Sequence, residues 1–324
     1  MKSHIGDSAL DCHVWLRLWR ELPDDEVNAL ARQFPRVKFT AGEEPGDSGG
    51  VDIVFTNKML PDEITQKLPA LKWIHTTYGG GASYRTPLVV RRGIIVTSSR
   101  GVQSVPLAEF TEACVLALAK KYPVLWRYKR ERRWDETLLL NTLSGQVVGL
   151  LGLGAMGSLV AQRLHGHGMT VRAIRRNLND IPPYVNSVSG LERLPEILAA
   201  ADFLIVALPA SKELQGRLGE SEFRSMKPSS YLINLVTRGI IPDAALAKAL
   251  SEGWIAGAAC NVFETNPLPK DSPLWEEPNL IISPNVAQGD PHRWEKLREI
   301  FTGNLERYLN GGDMTNVVGD KGAY

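Results

Sequence analysis

The stretch "VVGLLGLGAMGSLVAQRL", Val147 to Leu164, decides the fold. Its opening apolar run reads as a buried strand and its second half as an amphipathic helix. Between them stands Gly152-x-Gly154-x-x-Gly157. The first glycine permits a tight turn, the second lets a backbone approach a pyrophosphate, and the third lets helix pack closely on strand. The helix N-terminus then faces the anion. The bare glycine pattern is weak and fits an empty turn as well; strand, turn and helix around it make a dinucleotide fingerprint. Gly152, Gly154, Ala155, Met156 and Gly157 are the first candidate cofactor contacts.

Outward from this motif, strands and helices alternate in two series. The second series has strand-like runs at 147–151, 170–174, 203–208, 231–236, 255–262 and 280–283, with helical stretches such as 191–201 and 243–252. The first has strand-like runs at 13–18, 51–56, 71–76 and 94–98, with helices at 24–34 and 63–68 and an exposed loop over 41–50. Apolar runs separated by helices predict parallel sheets covered on both faces. A last helix carries Trp294, Leu297, Phe301, Leu305 and Tyr308 on one face. The expected architecture is α/β, with two doubly wound parallel-sheet domains.

The strand after the fingerprint ends in "VRAIRRN". A site selective for NAD would place Asp or Glu there to hold the ribose 2′-hydroxyl. Arg175 stands there instead, eighteen residues after Gly157, and Arg176 follows. Two guanidinium groups bind a 2′-phosphate that a carboxylate would repel. The expected cofactor is NADP (NADPH). Two arginines on a solvated strand end would give no preference for either dinucleotide.

Composition narrows the class. The chain has 324 residues, 44% hydrophobic and 23% charged, with a formal net charge of +1. It is long enough for two domains and has no global field to attract nucleic acid. Cys12, Cys114 and Cys260 are scattered and odd in number. They give neither a disulfide framework nor metal-ligand spacing, which fits a reducing cytosol. No signal-like apolar run opens the chain, and no stretch is long enough to span a bilayer. A soluble cytoplasmic protein without metal is expected.

"GVQSVPLAEFTEACVLALAK", "ADFLIVALPAS", "MKPSSYLINLVTRGIIPDAAL" and "GWIAGAACNVFETNPLPKDSPLWEEPNLIISPNVA" flank the fingerprint in a fixed order. From about Leu71 to the C-terminus the chain resembles the D-isomer-specific 2-hydroxyacid dehydrogenase family. The resemblance implies a Rossmann-type cofactor domain at 104–288 inserted in a flavodoxin-like substrate domain made of 1–103 and 289–324. It implies an active site in the cleft between the domains and a homodimer formed through the cofactor domains. Leu208, Pro209 and Thr237 fall among its cofactor contacts. In such enzymes an arginine orients the 2-oxo acid carboxylate, and a histidine held by a glutamate passes a proton to or from the substrate oxygen.

Against that pattern the match is uneven. The arginine and its glycine are Arg238 and Gly239, but four steps separate Asn234 from Arg238 where the family has three. The family's "DVFxxEPL" is "NVFETNPL". Asn261 therefore stands where an aspartate would lie beside the nicotinamide, and Asn266 where the glutamate would hold the histidine. In "SPNVA" the histidine itself is Asn285. Both partners are replaced together, which avoids stranding a partly buried carboxylate. Asn285 cannot exchange a proton near neutral pH, yet its amide can donate a hydrogen bond to a developing oxyanion.

Arg238, Asn285, Asn266 and Tyr78 are thus the candidate catalytic residues. Tyr78, Gly79 and Gly80, in "HTTYGGGASY", join Arg238 as candidate substrate contacts; Asn261 and Asn285 also face the cofactor in this reading. Tyr84, Arg85 and His75 are read as structural, and His292 as the residue opening the last helix. "WRYKRERRW", Trp126 to Trp134, is read as a solvated connector or dimer face rather than a nucleic-acid site. The function expected is an NADP(H)-dependent oxidoreductase acting on a small 2-oxo or 2-hydroxy acid, or a related anion, with altered acid/base chemistry. Electrophiles that need no concerted proton, such as cationic imines, suit an asparagine site. The alternatives are an NADP-binding regulator without catalysis, or an NADP-using enzyme of another reaction type.

Overall fold

Four-residue runs such as "IVFT" at Ile53–Thr56 and "WIHT" at Trp73–Thr76 are buried along their whole length. Runs of this kind are stable only inside a sheet covered on both faces, and the fold is built from two such sheets. The structure, a computed structural model, describes residues 12–18, 22–179, 181–209 and 211–319. The opening segment read for targeting signals lies outside those residues. The chain divides into two compact units, one formed by residues up to Val102 and from Pro291 onward, the other by Gln103–Asp290.

The first unit holds strands β1 (Cys12–Arg17), β2 (Val37–Ala41), β3 (Ile53–Thr56), β4 (Trp73–Thr76) and β5 (Ile95–Ser98). They pair in parallel in the order β2-β1-β3-β4-β5, the flavodoxin-like order. The helix Arg293–Leu309 buries Leu297, Phe301 and Leu305 completely, four residues apart on one face. Phe301 stacks on Phe55 at 4.5 Å and on Trp73 at 5.5 Å between ring centroids. Trimming a ring so enclosed to alanine costs about 3–5 kcal/mol. Strand β2 was not among the expected strands. It is an edge strand with only Val37 buried, so its residues read as loop; the exposed loop begins later than expected, after Ala41.

The second unit holds β6 (Val147–Leu151), β7 (Thr170–Ile174), β8 (Ser187–Ser189), β9 (Phe203–Val206), β10 (Tyr231–Asn234), β11 (Gly257–Cys260) and β12 (Leu280–Ile282). All pair in parallel, in the order β12-β11-β10-β9-β6-β7-β8. Winding runs outward in both directions from β6, so the order reverses between β6 and β9. That is the Rossmann switch point. Two apolar layers cover the sheet, one including Val148, Leu150, Val160 and Leu164 and the other Leu151, Leu204, Leu232 and Leu246. The short edge strand β8, polar and partly exposed, also escaped the sequence reading. The expected α/β architecture of two doubly wound parallel sheets holds.

Three residues read as structural prove so. Tyr84 is 1% exposed, and the Arg85 guanidinium donates to the Val318 carbonyl at 2.8 Å. His75 is wholly buried, with Nδ1 2.7 Å from Thr97 Oγ1 and Nε2 3.0 Å from Ser99 Oγ. Burial pushes its pKa down to about 3. Cys12, Cys114 and Cys260 are free and buried. Among the described residues no helix is long and apolar enough to cross a membrane.

His75 gives the first unit a pH dependence of known sign. Folded, it stays neutral down to about pH 3; unfolded, it takes up a proton below about pH 6.5. Its contribution is therefore fully present above that value and is lost as pH falls toward 3. In His75→Gln the fall in urea-unfolding free energy between pH 7 and pH 5 should be smaller than in the native protein, by up to about one proton of linkage.

Candidate cofactor and active site

At the carboxyl end of β6 the three glycines do three different things. Gly152 has φ +108°, and a Cβ there would lie 2.7 Å from the Ala207 backbone, so the turn closes directly on the chain leaving β9. A Cβ on Gly157 would lie 2.1 Å from the Gly152 carbonyl oxygen, so the helix Ala155–Gly166 starts in contact with the turn. Gly154, by contrast, has nothing within 4 Å of a Cβ. Two glycines are demanded by packing, and the third leaves open space at a helix N-terminus. That space and the unpaired N–H groups of the first helical turn suit a pyrophosphate. Ala155 and Met156 are the first two residues of this helix.

Arg175 and Arg176 follow β7 directly. The Arg175 N–H donates to the Ser189 carbonyl at 3.0 Å, and its guanidinium donates to the Asn179 carbonyl. The Arg176 guanidinium lies 3.5 Å from a Glu213 oxygen, with side-chain exposures of 71% and 80%. So exposed a pair contributes about 0–1 kcal/mol and yields easily to a doubly charged phosphate. Among the described residues, the two that follow β7 directly are both cationic, and neither is a carboxylate that would favour an unphosphorylated ribose.

The loops after β9 and β10 are tied together. Thr237 Oγ1 donates to the Leu208 carbonyl, beside Pro209. The residues before Arg238 form a turn closed by one side chain: Asn234 Oδ1 accepts from the Thr237 N–H at 3.2 Å, and Nδ2 donates to the Thr237 carbonyl at 3.0 Å. Arg238 stands exposed beyond that turn. Gly239 has φ +70°.

Asn261, just past β11, is 1% exposed and fully bonded. Its Oδ1 accepts from Ser283 Oγ at 2.7 Å and the Ala287 N–H at 3.0 Å. Its Nδ2 donates to the Leu235 carbonyl at 3.0 Å and reaches Gln288 Oε1 at 3.4 Å. Asn285 follows β12 with φ +57°, a conformation asparagine tolerates better than most residues. Its N–H donates to the carbonyls of Asn261 at 3.1 Å and Ser283 at 2.9 Å, and the residue is exposed. Asn266 is half-buried, before a cis peptide bond to Pro267. Among the described residues no hydrogen bond joins Asn266 to Asn285. The structure thus gathers the candidates from Gly152 to Asn285 along the carboxyl edge of one parallel sheet, where α/β sheets bind ligands.

Tyr78, Gly79 and Gly80 belong to the other unit, in the turn after β4, with Tyr78 exposed. His292 occupies the N-cap position of the helix Arg293–Leu309 without a side-chain cap bond. Sequence reasoning passed over two residues. Arg293 is half-buried, and burial lowers its pKa while nearby Tyr78 acts in the opposite sense; a cation opening the last helix was the available signal. Gln288 contacts Asn261 and Asn285, and no motif marked it.

The glycine geometry separates folding from binding. Gly154→Val should leave the melting temperature within a few degrees and weaken NADPH binding at least tenfold in a fluorescence titration. Gly157→Ala should lower both, because the new methyl must displace backbone, at about 1–3 kcal/mol or more.

The D-isomer specific 2-hydroxyacid dehydrogenase NAD binding domain family matches residues 113–287. A glyoxylate reductase of Korarchaeum cryptofilum (strain OPF8) is 28% identical, over 97% of this chain and 92% of its own. A glyoxylate reductase of Thermofilum pendens (strain DSM 2475 / Hrk 5) is 32% identical, over 82% of this chain and 79% of its own. Among solved structures, a D-isomer specific 2-hydroxyacid dehydrogenase from Xanthobacter autotrophicus Py2, in complex with NADPH and MES, is similar with TM-score 0.81 and 28% identity. That likeness covers 96% of this chain and 98% of the other. With its Rossmann sheet, its glycine turn and these matches, the chain belongs to the D-isomer specific 2-hydroxyacid dehydrogenase family.

Proposed function

We propose that the protein is a reductase of small 2-oxo acids, or of closely related carboxylate-bearing electrophiles, that works with a neutral amide where its family uses an acid. It is an NADP-dependent oxidoreductase, in keeping with its glyoxylate reductase relatives and the NADPH-bound relative of the same fold. The observation that carries the substrate chemistry is Asn285, exposed at the end of β12 in the family's histidine position and unbonded to Asn266.

Bound NADPH supplies the hydride. Arg238 offers an exposed guanidinium that pairs with a substrate carboxylate in a fork. The Asn285 amide donates to the carbonyl oxygen as charge builds there, and water supplies the proton afterwards. Losing a general acid costs about 10²–10⁴ in rate; one well-placed oxyanion donor recovers about 10²–10³. Asparagine thus offsets much of the loss without a titrating group. We further propose a homodimer through the cofactor unit, on the face where Trp126, Trp134, Leu139 and Leu140 lie exposed.

NADPH oxidation against glyoxylate, hydroxypyruvate, phenylpyruvate, branched-chain oxo acids and a preformed imine tests the reading. Turnover should show no limb from a histidine acid between pH 6 and 8. Asn285→Gly, which keeps the left-handed backbone, should lower kcat about 10²-fold. If NADPH binds and nothing is reduced, while Asn285→His with Asn266→Glu gains activity, the binding-only alternative takes its place. Arg175→Asp should weaken NADPH far more than NADH; equal losses would overturn the assignment of the phosphate to Arg175.

A further inference from the structure

The amide network after β11 and β12 has fixed ends. The Ala287 N–H can only donate and the Leu235 carbonyl can only accept, so Asn261 must turn Oδ1 to the first and Nδ2 to the second. The same Nδ2 faces Gln288 Oε1 at 3.4 Å. At its other end Gln288 Nε2 donates to the Asn285 backbone carbonyl at 2.7 Å, again an acceptor without choice. Both contacts orient the Gln288 amide the same way. Its Nε2 then also reaches Asn285 Oδ1 at 3.4 Å.

We propose that Gln288 is a positioning residue, holding the Asn285 amide with its oxygen turned inward and its N–H donors turned to the substrate. The inference rests on reading Asn285 as the oxyanion donor. A flipped Asn285 would set its own N–H groups against those of Gln288 and present an acceptor to the developing oxyanion. Backbone groups on two loops fix the sense of the relay, and the two glutamine contacts carry it to Asn285. Asn261 serves here as no aspartate could, since a carboxylate has no hydrogen to give to the Leu235 carbonyl or to Gln288.

A neutral hydrogen bond at an exposed site contributes about 0.5–1.5 kcal/mol, so orienting the amide is worth about 2- to 10-fold in rate. Gln288→Met should lower kcat by that factor, with the substrate KM and NADPH affinity little changed. Gln288→Glu should lower it further at neutral pH, since its carboxylate draws the Asn285 N–H groups inward. The decisive comparison is a double-variant cycle. Asn285→Gly keeps the backbone carbonyl that Gln288 bonds and removes the side-chain amide. In that background Gln288→Met should have no further effect on kcat. An equal loss in both backgrounds would mean that Gln288 only braces the loop, and would overturn the proposal. Unchanged kcat in Gln288→Met, with Asn285→Gly inactive, would overturn it and leave the donor reading intact. Unchanged kcat in Asn285→Gly would remove the donor reading itself, and this inference with it.

Discussion

Between the Gly152 turn and the chain leaving β9 there is no room for a side chain: a Cβ at Gly152 would lie 2.7 Å from the Ala207 backbone. This close approach sits where the strand order reverses, between β6 and β9. It brings the start of the helix Ala155–Gly166 onto the same edge as the loop carrying Leu208 and Pro209. Thr237 then ties the β10 loop to Leu208, and Asn261 ties the β12 loop to the β10 loop. A single constraint at the switch point is passed from loop to loop along the sheet. These ties run from side chain to backbone and join the loops directly.

Charge is scarce along that edge. Asn261, Asn266 and Asn285 stand at the positions where the resemblance leads one to expect an aspartate, a glutamate and a histidine. A buried aspartate at position 261 would need compensation for its charge, whereas asparagine satisfies four neighbours as a neutral group. The cations there are Arg175, Arg176 and Arg238, with Glu213 3.5 Å from Arg176. In the function proposed above, such an edge would bind a phosphorylated cofactor and a carboxylate through these cations and leave the reacting oxygen to neutral hydrogen bonds.

What the sequence made legible was whatever is local. The buried strands announce themselves as continuous apolar runs, and the fingerprint needs only a dozen residues. The last helix shows Leu297, Phe301 and Leu305 at its own spacing. Edge strands β2 and β8 were missed because an edge buries little, so Val37–Ala41 and Ser187–Ser189 carry no hydrophobic signal. The asparagines at positions 261, 266 and 285 were legible in the sequence, where the resemblance leads one to expect other residues. The bonds that Asn261 makes were not, since they join loops 26 and 27 residues apart in the chain. Gln288 was invisible for the same reason.

In the function proposed above, the asparagines at 266 and 285 and the loop before Arg238 concern one catalytic problem. With a histidine, the proton follows the hydride, and the arginine has only to hold the carboxylate. With asparagine, negative charge on the substrate oxygen persists until water protonates it, so nearby positive charge matters more. Asn234 closes a defined turn with Thr237, from which the chain emerges at Arg238. A longer loop can set the guanidinium differently with respect to the reacting oxygen than the family's shorter one does. An electrophile that already carries positive charge would make the smallest demand on this site, because hydride addition to it creates no oxyanion. The chemistry open to the protein is therefore set by how far Arg238 and Asn285 together can stabilise an unprotonated product.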